Sequence, residues 1–338
     1  MPAPARALCA PLLVLAALLA PRAHATCDAS VPRGGDIQQA IDALPAGGAK
    51  TVCLAAGEYR LQQLVAIRRD GLSLRGAGSR TVLRMQDGIA QPLLVVGDYL
   101  DEVPAQPIRD VTIERMKLIG ATAEHEFMPE HPYLSNSGIV VRNGERIVLR
   151  DLELSNCRSA CILTERDSHD VTITGSKIVA AVWDGVSFNR SHGIRLIGNE
   201  IRGNTAAGIT TEHLEDSEIR DNSIANNGSH GIYLSDSARN RFIGNRVENN
   251  RNAGVFLTCA VRFRDPGPVL CWDNSISQGN TFEGNRFAHN QFGYDVGADN
   301  AANCARPEWQ PNIWRDNRSD TPNRDPQPEK FGICTRPS

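Results

Sequence analysis

Six times between Gly138 and Leu257 the chain writes a short apolar strand of nearly one shape. These are Gly138-Ile139-Val140-Val141, Cys161-Ile162-Leu163-Thr164, Gly185-Val186-Ser187-Phe188, Gly208-Ile209-Thr210-Thr211, Gly231-Ile232-Tyr233-Leu234 and Gly254-Val255-Phe256-Leu257. Their starts are separated by 23, 24, 23, 23 and 23 residues. A fixed period of about 20 to 50 residues is the signature of a solenoid, in which each coil buries its apolar side chains against its neighbours, and the repeated unit here is a β-strand.

A second column keeps the same register. Ile113, Leu149, Ile173, Leu196, Ile219, Phe242 and Phe282 are each followed, five residues on, by Leu118, Leu154, Ile178, Ile201, Ile224, Val247 and Phe287. Between the two members stand Met116, Leu152, Ser176, Asn199, Asn222, Asn245 and Asn285. Identical amides at the spacing of adjacent strands hydrogen-bond up and down a stack, so this column predicts an asparagine ladder at one turn, with an apolar stack at its N-terminal end.

The first 25 residues carry Arg6, an apolar run from Leu8 to Ala20, and Ala23-His24-Ala25, which has the form of a signal-peptidase site. A cut after Ala25 is expected, giving a periplasmic or secreted protein. It leaves eight cysteines, an even number that in an exported chain implies disulfides. Contacts in a solenoid are local, so Cys27 is expected to pair with Cys53, Cys157 with Cys161, Cys259 with Cys271, and Cys304 with Cys334. No later run is apolar for the roughly 18 residues a membrane-crossing helix needs, so no transmembrane anchor is expected. A formal charge of −3 with no basic block argues against a nucleic-acid partner.

One repeat running through most of the chain predicts a single elongated, monomeric domain over residues 26–305, rather than the two domains that length suggests. Residues 36–44 place Ile37, Ala40, Ile41 and Leu44 on one helical face before Pro45, which reads as an N-terminal capping helix. Segments 97–107, 121–136 and 259–274 break the period. They are expected as loops walling the two long edges of one sheet, and residues 306–338 as an irregular C-terminal cover. The segment 121–136 contains Glu124-His125-Glu126-Phe127-Met128-Pro129-Glu130-His131-Pro132-Tyr133, the most ligand-like of the three insertions, with His131 as a binding candidate.

Alternate side chains of a strand face opposite ways, which sorts the repeats into inward and outward columns. One outward column reads Val140, Leu163, Ser187, Thr210, Tyr233, Phe256 and Asp295; the next reads Arg142, Glu165, Asn189, Glu212, Ser235 and Thr258. Just beyond the strand come Asn143, Arg166, Arg190, His213 and Asp236, and just before it Trp183, Asp184 and His230. The ionisable strip Glu165, Asp184, Arg190, Glu212, His213 and His230 is the candidate catalytic set, and Trp183, Asn189, Tyr233, Arg142 and Arg166 are candidate substrate contacts. Exposed charges alternating on a sheet can equally be solvated ladder pairs that contribute little.

The run Asp36 to Leu44, Gly47-Gly48, Ala56-Gly57-Glu58-Tyr59, Asp70 to Gly78 and the later Gly-Ile coils resemble the right-handed parallel β-helix superfamily. It includes pectate lyases, polygalacturonases, alginate lyases and mannuronan C5-epimerases. The resemblance implies an all-β fold, a right-handed parallel β-helix solenoid, and a polysaccharide partner, but one β-helix hosts several chemistries. A uronate lyase or epimerase must neutralise the sugar carboxylate, for which Arg190 is suited with Arg166 and Arg142 in support. It also needs a base, His213 or His230, with Tyr233 as opposing acid. An inverting hydrolase would instead use a carboxyl pair such as Glu165 and Glu212, or Asp184.

The family motifs are incomplete here. No Asp-Pro-His element occurs, Gly228-Ser229-His230-Gly231 only approximates the polygalacturonase Gly-His-Gly, and Val182-Trp183-Asp184-Gly185 lacks the histidine of the similar pectate-lyase segment. No cofactor is required by these residues, and no carboxylate cluster for a divalent cation such as Ca2+ follows Asp184. The coils from Gly231 to Asn250 are also similar to those of a non-catalytic periplasmic β-helix, the accessory protein of nitrous oxide reductase maturation.

Overall fold

The computed structural model describes residues 26–258, 261–263, 270–271, 277–297 and 312–324. Within them the chain is a parallel β-helix. One side is a 12-stranded sheet whose main path runs, in chain order, β1 (Val65–Ile67), β2 (Leu94–Val96), β3 (Ile139–Arg142), β4 (Ile162–Glu165), β5 (Val186–His192), β6 (Ile209–Glu215), β7 (Ile232–Ser235), β8 (Ala253–Thr258) and β9 (Phe292–Val296). The other sides form a 19-stranded sheet. In the two strands of eight residues, Thr112–Ile119 and Val148–Ser155, its bend is continuous, whereas later coils break into pairs such as Arg195–Ile197 and Glu200–Arg202.

The expected columns are the observed registers. Ser187 pairs with Thr210, Thr210 with Tyr233, and Tyr233 with Phe256, while Arg142 pairs with Glu165 and Asn189 with Glu212. Glycine opens these strands because adjacent coils leave no room for a side chain. A Cβ on Gly208 would sit 2.5 Å from Cγ2 of Ile224 and 2.8 Å from the carbonyl oxygen of Gly231. The inward residues stack into one core along the axis, Ile209, Ile232 and Val255 on one wall and Phe242 and Phe282, ring on ring at 4.8 Å, on another.

The amide ladder forms as predicted. Asn199 Nδ2 donates to Asn222 Oδ1, Asn222 to Asn245, and Asn245 to Asn285, each at 3.0 Å, and every Oδ1 also accepts a backbone N–H from the coil before it. Two further ladders accompany it, Asn204-Asn227-Asn250-Asn290 and Asn240-Asn280-Asn312. Burying these amides is tolerated because donor and acceptor are both occupied.

Coils turn at corners in the left-handed region, and the corners also stack. Arg115, Asp151, Gly175, Gly198, Asp221, Gly244 and Gly284 have positive φ at one of them. At a bend within the 12-stranded sheet, which β5 and β6 run through, the residues are Asn143, Arg166, Arg190, His213 and Asp236, with φ of 49°, 57°, 44°, 56° and 40°. Gly, Asn and Asp suit such corners. An arginine there is less comfortable, by about 1 kcal/mol.

At the N-terminal end the helix α1 (Ile37–Asp42) is shorter than the 36–44 periodicity suggested, and begins at Asp36, whose carboxylate accepts the Gln39 N–H. It packs on the first coils, and Gln38 Oε1 takes the Ala66 N–H of β1 at 2.7 Å. The disulfides Cys27–Cys53 and Cys157–Cys161 are present, with Cα separations of 5.7 and 5.1 Å. The expected pairs 259 with 271 and 304 with 334, the 259–274 loop and the signal peptide lie outside the described residues, or largely so.

Candidate functional site

The outer face of the 12-stranded sheet divides in two. Over β1, β2 and β3 it is covered: a hairpin of Phe127–Met128 and His131–Ser135 lays Met128 and Leu134 on Leu64, Ala66, Val95 and Val140. The insertion expected as an edge wall thus lies across the face itself, because Val140 and Leu163 give the outward column an apolar start that needs burial. From Ser187 onward the column runs through Thr210 and Tyr233 to Phe256, all half-buried, and among the described residues no hairpin lies over it.

Arg142, Glu165 and Arg166 belong to the covered half. Arg142 was expected on an exposed strip, yet its side chain is 0% exposed. Gly97, with φ of 114°, sends the 97–107 loop back over the strand end, where any Cβ would meet the Arg142 carbonyl oxygen at 2.1 Å. Arg142 then fixes that loop. Nε donates to Glu165 at 2.7 Å, Nη1 to the carbonyls of Asp98 and Asp101, and Nη2 to that of Glu102. Burial raises the pKa of Glu165 in spite of Arg142. Arg166 lies 3.4 Å from Glu102 of the same loop. These three residues hold a loop in place, apart from the open face. His131 is also elsewhere, in a cleft at the N-terminal end.

The remaining candidates converge on β5, β6 and β7. His213 and Arg190 occupy equivalent corner positions on adjacent coils. Nδ1 of His213 meets Asp236 on the next coil at 2.5 Å, and that hydrogen bond raises the histidine pKa above its ordinary value. Arg190 is exposed and makes no ion pair among the described residues. Glu212, also exposed, accepts from Asn189 Nδ2 at 3.2 Å. Trp183 is 52% exposed just before β5, at the opposite end of the strand from Arg190. Asp236 was visible in the corner column but not chosen. Its signal was its place one coil after His213.

Asp184 and His230 share a position two coils apart, and each accepts a backbone N–H from the following coil: Ala207 to Asp184 at 2.9 Å and Ala253 to His230 Nδ1 at 3.3 Å. His230 stacks on Phe256 at 4.7 Å, near Tyr233, and burial lowers its pKa to about 4. It is therefore neutral near pH 7, with its second nitrogen carrying the proton. Asp184 is 3% exposed, bonded by Ser187 and Thr210, and burial pushes its pKa up to about 6, with Glu212 adding to the shift.

That shift makes a prediction. A carboxyl whose folded pKa lies above its unfolded value stabilises the fold fully at low pH, and the contribution is lost as pH rises through about 6. Asp184→Asn keeps an acceptor for the Ala207 N–H without the charge. It should leave the melting temperature unchanged near pH 4 and raise it at pH 8, by up to about 3 kcal/mol in stability. Equal melting shifts at both pH values would refute the burial argument.

Among the described residues no three His, Cys, Asp or Glu side chains converge as metal ligands must, and no helix is long and apolar enough to cross a membrane.

A family model described as periplasmic copper-binding protein (NosD) matches residues 130–317. No curated protein sequence matches the chain. Among solved structures the chain is similar to an alginate lyase from Paenibacillus sp. str. FPU-7, at 14% identity over 88% of this chain and 97% of that one, with a TM-score of 0.62. It is also similar to pectate lyase Pel9A, at 13% identity over 90% and 80% of the two chains and a TM-score of 0.62. The Dettilon tailspike protein (gp208) is similar at 15% identity over 81% of this chain, with a TM-score of 0.54, and the chain spans 62% of its length. At such identities the likeness establishes the fold, a right-handed parallel β-helix.

Proposed function

Because this chain belongs to the NosD family of periplasmic copper-binding proteins, we propose that it works outside the cytoplasm, where its open sheet face binds an acidic polysaccharide and removes the C5 proton of a uronate residue. The observation that carries this reading is the His213–Asp236 dyad beside an exposed Arg190 that makes no ion pair among the described residues. Arg190 suits the sugar carboxylate, and drawing off that charge acidifies the C5 proton. Asp236 holds Nδ1 of His213, which leaves Nε2 to take the proton. In elimination the electron pair from C5–H forms the C4=C5 double bond, the C4–O bond breaks, and the leaving oxygen takes a proton from Tyr233. In epimerisation Tyr233 instead returns a proton to C5 from the opposite face. Trp183, at the other end of the strand, offers a ring to a different sugar of the same polymer.

Copper favours thiolate, thioether and imidazole ligands. Cys157 and Cys161 are bonded to each other, Met85, Met116 and Met128 are buried, and no three His, Cys, Asp or Glu side chains converge among the described residues. The described residues do not fit a copper centre, and no step is assigned to one. A second reading, a non-catalytic periplasmic binding or maturation protein, draws on the family match itself.

Incubation with polymannuronate, polyguluronate and polygalacturonate separates the readings. Ultraviolet-absorbing unsaturated ends mark elimination, and altered C5 configuration by NMR marks epimerisation. New reducing ends without that absorbance indicate hydrolysis. Binding without any product sinks the enzymatic reading. If His213 is the base, kcat/KM should rise with pH through its raised pKa, and Asp236→Asn should shift that limb to lower pH while slowing the reaction. An unmoved limb would exclude His213.

A further inference from the structure

We propose a second ligand site, for a carboxylated sugar, in the cleft between α1 and the 127–135 hairpin. The cleft has a volume of about 850 Å³, within the range of small-molecule sites. It lies at β1, four strands from Arg190 on β5, or about 19 Å along the axis. Its floor is apolar, formed by Leu64, Ala66 and Met128. The edge of β1 is closed to an incoming strand, since Gln38 and Gln91 take the N–H groups of Ala66 and Leu64.

The polar groups around that floor are incompletely used. Arg69 donates from Nη1 and Nη2 to the carbonyls of Leu44 and Pro45, but its buried Nε has no partner. An N–H in that state costs about 1–3 kcal/mol. Arg68, half-exposed, is 3.6 Å from Asp98. The Tyr133 hydroxyl donates to Leu100 O at 2.7 Å, so Nδ1 of His131, 2.9 Å from that hydroxyl, must carry the proton it shares. In the neutral ring Nε2 of His131 is then an acceptor suited to a sugar hydroxyl.

The half-exposed Arg68 guanidinium suits a carboxylate, an imidazole acceptor recognises a hydroxyl, and an apolar floor suits the CH face of a pyranose. Asp42 and Glu130 also line the cleft, and their charges disfavour a phosphate-rich polyanion.

Calorimetric titration of the full exported chain with glucuronate and galacturonate, with glucose as neutral control, tests this site. A uronate should bind at least about tenfold more tightly than glucose, the scale of one charge-assisted hydrogen bond. Arg68→Gln and His131→Gln should each weaken it by about tenfold with unchanged melting temperature, while Arg190→Ala leaves it intact. Absence of binding, equal affinity for glucose, or insensitivity to both cleft variants overturns the proposal. Binding lost in Arg190→Ala but kept in Arg68→Gln also overturns it, and places the sugar on the open face instead. A failed cleft with polymer turnover intact would leave the proposed function standing.

Discussion

Arg142→Met should lower the unfolding free energy by about 3–5 kcal/mol, the usual consequence of removing one partner from a buried ion pair. The side chain is fully buried and supplies four hydrogen bonds, one to Glu165 and three to loop carbonyls. Methionine fills much of the volume but leaves those acceptors in place. Burial already raises the Glu165 pKa, so without Arg142 that carboxyl should bind a proton on folding, and the deficit should shrink at acidic pH. Adding Glu165→Gln should recover part of the loss. Urea denaturation measures both variants, and a deficit below about 1 kcal/mol, typical of exposed pairs, would show that Arg142 is solvated in solution.

Arg190→Gly should cost about a hundredfold or more in turnover of the uronate polymer, and His213→Ala a comparable amount, as expected for an electrostatic partner and a base. Stability should respond in the opposite sense for Arg190. It occupies the left-handed region with φ of 44°, where glycine is at ease, so the melting temperature should hold or rise slightly. A fold that tolerates glycine there while activity collapses would mean the strained arginine is kept for its charge. Full turnover in both variants would mean that the corner is a solvated charge ladder, and would return attention to the 121–136 insertion.

The axial organisation was legible because a solenoid repeats itself. Any residue type required by stacking, such as Gly208 or Asn222, recurs at the same offset, and the register follows from counting. The third ladder, Asn240-Asn280-Asn312, was missed because the interruptions in the period after residue 258 hide its spacing. The covered half of the sheet was misread for a different reason. Alternation says which way a side chain points but not what lies above it, and only the apolar start of the column, Val140 and Leu163, announced a cover. The cluster on β5 to β7 was legible as a set of residues. The division of labour within it, with Asp184 and His230 accepting backbone N–H groups and Asp236 partnering His213, depends on hydrogen bonds that spacing does not encode.

The stacked amides also make this molecule a ruler with discrete divisions. Each ladder rung presents the same donor and acceptor upward and downward, so a coil added or removed between Asn245 and Asn285 would meet matching partners on both sides. The distance from the Arg190 corner to the C-terminal coils can therefore change only in whole strand spacings of about 4.8 Å. A lineage could retune the reach of its surface by coil duplication or loss, leaving the local chemistry at either end untouched.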